Sequence, residues 1–391
     1  FLFTINTFAS IECWRLIEKS RLGDLEAVKT ILANNPTPDC FHNAYETEWA
    51  LTEALANSHL DIVKELIKSP HAGINARSRI GYPIEVALRH DHPKYALTLL
   101  EVDKLDVNKL FKINKRGCIY YCDYPLREAT RKGWGNVVNV ILNHPTSNPN
   151  GLDRGVATPL EVIVGYEGKN LDLGLRKDFT FFLIRHPEFK IDWKDGLLHF
   201  FLTEHRYKVA HGVIEELIRN PDIDVNRKTK LGTTPLMKLY YTRDEALIDS
   251  ALPLFLKRKE VDVNNFTKNR RSSVISAAIG YYLRRNKSAD RSLRLKHFLM
   301  LAERPELNFN LANRDGDTPI LLAQSPHKDR QELFSYIYGR ADVDLTRANQ
   351  LGTSLLHGFA KIGDLKIFKE VLALKNWDLN RYHEKLGDAY N

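Results

Sequence analysis

The sequence is poor in the groups that usually announce a chemistry. Four cysteines in 391 residues, Cys13, Cys40, Cys118 and Cys122, are too few for a disulfide scaffold. None forms a C-x-x-C pair or sits in a Cys/His zinc pattern, so reduced thiols are expected. Arg, Lys, Asp or Glu interrupts every apolar stretch before the roughly 18 residues needed to span a bilayer, which predicts a soluble chain. There is no G-x-x-x-x-G-K-[ST] loop, G-x-G-x-x-G turn, G-x-S-x-G elbow, H-E-x-x-H pair or kinase-like H-R-D set. His90 and His92 are close together but lie beside Pro93 at a link between helices, where capping or solvation accounts for them better than metal ligation. A non-enzyme is therefore expected, with no catalytic residue, cofactor or metal.

What is present is enough apolar surface for a sizeable core, at 43% hydrophobic and 10% aromatic residues. Lys and Arg number 57 against 49 Asp and Glu, a mild excess of +8 that admits an acidic partner without pointing to nucleic acid. The sequence begins Phe1-Leu2-Phe3-Thr4-Ile5-Asn6 without a methionine, an apolar start that suits a processed signal as well as a fragment boundary. The expected compartment is the cytoplasm, of its own or a host cell, with secretion as the alternative. In a secreted chain, Asn265 and Asn286 would be glycan acceptors.

A repeat runs the length of the chain. Segments of the form apolar-x-x-P-x-I-D-V-N recur, as in Leu217-Ile-Arg-Asn-Pro221-Asp-Ile-Asp-Val-Asn226 and Leu301-Ala-Glu-Arg-Pro305-Glu-Leu-Asn-Phe-Asn310. Shorter forms are Leu105-Asp-Val-Asn108 and Val261-Asp-Val-Asn264. A few residues later an opening signature follows, seen as Ala157-Thr-Pro-Leu160, Thr233-Thr-Pro-Leu236 and Asp317-Thr-Pro-Ile320. Thr or Ser before Pro suits a helix start, because the hydroxyl caps free N–H groups and proline fits the first helical position. Segments such as Leu60-Asp-Ile-Val-Lys-Glu-Leu-Ile67 then place apolar residues on one helical face.

These residues resemble the ankyrin repeat, whose pattern runs T-P-L-H-x-A-A, a glycine link, an apolar second helix and a G-A-D-V-N-like tail. The clearest unit is Leu351-Gly-Thr-Ser-Leu-Leu-His357-Gly-Phe-Ala-Lys-Ile-Gly363-Asp-Leu-Lys-Ile-Phe-Lys-Glu-Val-Leu372. His occupies the histidine position only at His199 and His357, with Glu85, Glu161, Met237 and Leu321 among the replacements. About ten units open near 15, 50, 83, 125, 159, 197, 235, 273, 319 and 355, at intervals of 33 to 46 residues. The resemblance implies an all-α solenoid of stacked helix-turn-helix pairs with β-hairpin-like finger loops, one array over residues 1–391. It also implies a concave binding surface, because short helix pairs bury their apolar faces only by stacking.

Insertions in a repeat map to loops and often to the binding face. One runs from Leu110 to Asp123 and offers Tyr120 and Tyr121 either as interface anchors or as residues packed on neighbouring fingers, beside Lys112, Lys115 and Arg116. A second, Gly165 to Gly174, links two helices. The third, Tyr281 to Lys296, joins helix to helix and carries Arg284, Arg285, Arg291 and Arg294. Residues 257–296 hold twelve cations against three acids, a net +9 that exceeds the charge of the whole chain. A further series follows the corners: Arg77 and Arg79, then Arg227, Lys228 and Lys230, then Lys268, Arg270 and Arg271.

The expected function is a non-catalytic scaffold that binds a protein partner, acidic or phosphorylated, through its fingers and concave face, with the basic site in repeats 7 and 8. Nucleic acid or anionic lipid at the same patch is the alternative, as is a secreted effector or adaptor that recruits a host protein. Divergent ankyrin arrays of this kind are similar to those of microbial eukaryotes and of intracellular bacteria.

Overall fold

Proline fixes φ near the helical value and needs no N–H partner, so it is at home in the first turn of a helix. Pro83, Pro125, Pro159, Pro235 and Pro319 all stand there. At Thr158 the start is sealed twice: its hydroxyl accepts from the Glu161 N–H at 3.2 Å, and the Glu161 carboxylate accepts from the Thr158 N–H at 2.9 Å. Two donors that a helix start leaves open are thereby satisfied. Glu85 accepts from the Tyr82 N–H in the same way at 3.2 Å. The carboxylates of Glu85 and Glu161, which stand where the resembled pattern has histidine, thus serve as caps.

The computed structural model describes residues 14–34, 42–43, 48–111, 124–151, 157–165, 167–190, 196–203, 211–242, 244–284, 291–324, 331–362 and 365–373. They fall into two compact units, 1–190 and 191–391. In the first, helices come as α1 (14–22), α2 (Leu25–Ala33), α3 (Ala50–Ala56), α4 (Leu60–Leu66), α5 (Pro83–Arg89), α6 (Lys94–Leu100), α7 (Pro125–Arg131), α8 (Gly135–Asn143), α9 (Pro159–Val164) and α10 (Leu173–Arg185). In the second they are α11 (Leu197–Phe201), α12 (Val213–Arg219), α13 (Pro235–Tyr241), α14 (Glu245–Lys257), α15 (Val274–Tyr282), α16 (Arg291–Ala302), α17 (Pro319–Ala323), α18 (Gln331–Tyr338), α19 (Leu355–Ile362) and α20 (Leu365–Leu372). Nine of the ten expected opening positions coincide with a helix start to within one residue, and residue 15 lies in α1. Strand pairing among the described residues is slight: a ladder of His42–Asn43 with Glu48–Trp49, and isolated bridges at Ser78–Gly81 and Phe266–Ser273.

The two helices of a pair pack on each other, and between pairs odd-numbered helices pack on odd and even on even within each unit. Thus α3 meets α5, α5 meets α7, and α4 meets α6 in the first unit, while α13 meets α15 and α12 meets α14 in the second. The period of the apolar residues explains this: in α4, Ile62, Val63 and Leu66 are buried while Asp61 and Lys64 face solvent. In the second unit the core includes Phe201, Tyr240, Phe255, Tyr282 and Phe298, each under 2% exposed.

Six asparagines join one pair to the next. Asn75, Asn108, Asn150, Asn226, Asn264 and Asn310 each donate their side-chain amide to a backbone carbonyl of the following corner, at Lys104, Thr146, Glu188, Glu260, Glu306 and Asp342. Each also accepts, through Oδ1, the N–H two residues beyond that carbonyl, as Asn264 does from Asn308 at 2.9 Å. An acceptor two residues earlier orients the asparagine: Asp262 Oδ1 takes the Asn264 N–H at 3.0 Å, and Asp224 does the same for Asn226 at 2.9 Å. The D-V-N motif is therefore a clamp. Its Asp turns the chain, its Val enters the core (Val225 and Val263 are each 1% exposed), and its Asn fastens the neighbouring layer.

Candidate basic interface

After each clamp in the second unit the chain makes a tight turn before the next helix. Thr229 N–H donates to the Thr233 carbonyl at 3.0 Å, Thr267 to Ser272 at 2.9 Å, and Asn313 to Asp317 at 3.0 Å. These turns, 227–233, 267–272 and 313–317, are fastened side by side by two backbone bonds of 2.8 Å, from Lys268 N–H to the Leu231 carbonyl and from Arg314 N–H to the Arg270 carbonyl. Gly232 makes the first approach possible, because at φ +81° an added Cβ would lie 2.7 Å from the Lys268 nitrogen.

The first two turns each carry three cations and no acid: Arg227, Lys228 and Lys230, then Lys268, Arg270 and Arg271. Arg227 is half-buried and lines, with His199, Asp222 and Asp224, a small cleft of about 130 Å³. The other five are exposed. Arg270 lies 4.9 Å over the Phe266 ring. Among the described residues, the side chains of Lys228, Lys230, Lys268 and Arg271 make no hydrogen bond or ion pair. Five like charges held together in this way raise a local positive potential. Leu231, 73% exposed, stands among them.

Several arginines elsewhere in the same unit are engaged internally. Arg258 donates to the carbonyls of Ile218, Asn220, Pro221 and Ile223 and pairs with Glu260. Arg304 repeats the arrangement on Leu256, Arg258, Lys259 and Val261, pairing with Glu306. Arg340 pairs with Asp342 at 2.8 Å and stacks 4.0 Å over Phe309. A guanidinium six residues before the clamp position is thus the bolt of a corner, because its planar fork reaches several carbonyls at once.

Arg294 belongs to the interior as well. It is 4% exposed, pairs with Glu245 at 2.7 Å, donates to the Arg284 carbonyl at 3.0 Å and lies 5.5 Å over the Tyr281 ring. Tyr281 continues the network by donating to His297 Nδ1 at 3.1 Å, and His297 Nε2 donates to Asp249 at 3.1 Å. His297 is wholly buried, and desolvation holds its pKa below the ordinary imidazole value. Hydrogen bonds from Lys296 and His297 hold the Asp249 carboxyl below the usual range, and burial pushes the Tyr281 hydroxyl up. Neutral His297 with its proton on Nε2 satisfies both neighbours.

No protein-family model and no curated protein matches the chain.

The residues singled out in the sequence therefore separate. Lys228, Lys230, Lys268, Arg270 and Arg271 come together at two adjoining turns, with Arg227 at their edge. Arg294 does not join them: an inserted basic loop was expected to present it to a partner, but the partly buried Glu245 and the Tyr281 ring draw it into the core. Arg284 and Arg291 are half-buried. Arg77 and Arg79 are exposed in the first unit, Arg77 5.6 Å over the Tyr82 ring. Lys112, Lys115, Arg116, Cys118, Tyr120, Tyr121, Cys122, Arg285 and Asn286 lie outside the described residues. His199 donates to the Arg227 carbonyl at 2.7 Å, and His90 to the Leu55 carbonyl at 2.6 Å. Sequence reasoning missed Arg314, exposed on the third turn, because Asp315 and Asp317 balance it in any charge count. It also missed the bolts at Arg258 and Arg304, although a cation at a fixed offset before the clamp asparagine was there to be read. No described helix is long and apolar enough to cross a membrane.

Proposed function

We propose that the chain is a non-catalytic binding scaffold, an ankyrin-like array whose turns act as fingers that hold a protein partner. One observation carries this reading. The periodic polar side chains are engaged in fastening layer to layer, as with Asn226 on Glu260 and Asn264 on Glu306, whereas the cations of the intervening turns are left to solvent. A fold that commits its periodic groups to rigidity and varies its turns has the organisation of a recognition surface on a scaffold. The Tyr281–His297–Asp249 chain fits a structural role: Tyr281 and His297 are buried, exposed Asp249 ends the chain, and His297 has no exposed surface from which to meet a substrate.

The test is affinity capture of partners with the full chain, identification by mass spectrometry, and reconstitution of the leading candidate from purified components. Stoichiometric binding of a purified protein is the expected result. Failure of every captured candidate to bind directly would sink the reading.

A further inference from the structure

We infer that the turns 227–233 and 267–272 form a single docking site for a short acidic peptide segment that carries an apolar side chain among its carboxylates. This rests on the scaffold reading above and names the chemistry of its partner.

Charge alone calls for an anion. Six cations in two turns have no acid between them, and a backbone bond of 2.8 Å from Lys268 to Leu231 prevents the turns from separating to relieve their repulsion. Arg258, Arg304 and Arg340 of this unit each pair with an acid two residues further on. None of the six turn cations has an acid at that offset, and an external anion completes them.

Three features select a peptide from among the anions. First, the charge changes along the row: the third turn, fastened to Arg270 through Arg314, carries Asp315 and Asp317 against Arg314 alone. A nucleic-acid strand or a bilayer surface extends its charge uniformly and meets that acidic step, whereas a short segment ends before it. Second, the two turns contain no aromatic residue of their own; Phe266 is covered by Arg270, and the single exposed ring at their edge, Tyr241 bonded through its hydroxyl to Ser272 at 2.6 Å, is not the series of rings on which successive bases stack. Third, Leu231 offers its apolar surface in the middle of the cations, which suits one hydrophobic side chain and is too little for insertion into lipid. The guanidinium of Arg271 and the ammonium groups of Lys228, Lys230 and Lys268 then meet carboxylates on either side of that contact.

The test uses the full chain and a fluorescent Glu-rich peptide with one central leucine, followed by anisotropy, with three competitors: the same peptide with Gln for Glu, a single-stranded oligonucleotide, and vesicles containing phosphatidylserine. The acidic peptide should bind and weaken as salt rises, and its Gln form should not compete. Changing Lys228, Lys230, Lys268 and Arg271 together to Gln should weaken binding by about tenfold or more. Removing the same charge from exposed Lys257, Lys259, Lys366 and Lys369 should change it by less than about twofold. Leu231→Ser should weaken it about fivefold. Equal binding of the Gln peptide, tighter binding of the oligonucleotide or vesicles, or indifference to the four-residue change in a variant that unfolds like the parent each overturns the proposal. If a purified protein partner binds the four-residue variant undiminished, the scaffold reading survives and this site does not.

Discussion

The corners and the turns of the second unit contain the same residue types and use them oppositely. At the corners, Arg258 and Arg304 each reach four carbonyls of the preceding layer and one acid of their own. In the turns, Lys228, Lys230, Lys268 and Arg271 reach nothing among the described residues. What separates the two is the supply of acceptors. A corner follows a helix C-terminus, where carbonyls lack intrahelical partners and draw in a guanidinium. Each of the first two turns is closed by bonds between its own backbone groups, Thr229 N–H to the Thr233 carbonyl and Thr267 N–H to the Ser272 carbonyl, and contains no acid. Stability is thus concentrated at the corners and charge at the turns.

Several substitutions put that contrast under strain. The largest effect is expected from the buried pair: Arg294→Ala leaves Glu245 without its partner and should lower the unfolding free energy by about 3 kcal/mol in denaturant titration. Arg304→Ala removes the bolt of one corner and should cost about 2 kcal/mol by the same measurement. Asn264→Ala, which opens a clamp of two hydrogen bonds, should cost about 1 kcal/mol. A pH effect follows from His297. Its pKa in the folded chain lies below the ordinary 6.5, so the unfolded chain takes up the proton first, and stability should fall as pH drops below about 6.5. His297→Gln should reduce that step in a pH series of unfolding midpoints, leaving the part due to His357, whose pKa burial also lowers. Smallest of all, neutralising Lys228, Lys230, Lys268 and Arg271 to Gln should move stability by less than about 0.5 kcal/mol, since no internal bond is lost. A large loss there would erase the distinction between turn and corner.

Helix positions were readable from residues alone because their causes are local. A proline with a hydroxyl before it, and apolar residues at helical spacing, placed the starts of α9, α13 and α17. The D-V-N motif was readable as punctuation, but the partner of its asparagine was not, since Asn264 reaches Glu306 across 42 positions of chain. The basic stretch 257–296 was readable as a sum and misleading as a site. It combines a bolt at Arg258, a solvent-facing turn at 268–271 and an interior anchor at Arg294, and no property of arginine in sequence distinguishes the three.

What the sequence by itself determined is the recurring helix pair and the excess of positive charge in its second half, because capping, amphipathic spacing and composition act over a few neighbouring residues. The tertiary structure decided which of those charges remain available to a partner. An arginine is used internally or left to solvent according to the carbonyls and carboxylates brought beside it by layers some forty residues away, and only packing brings them there.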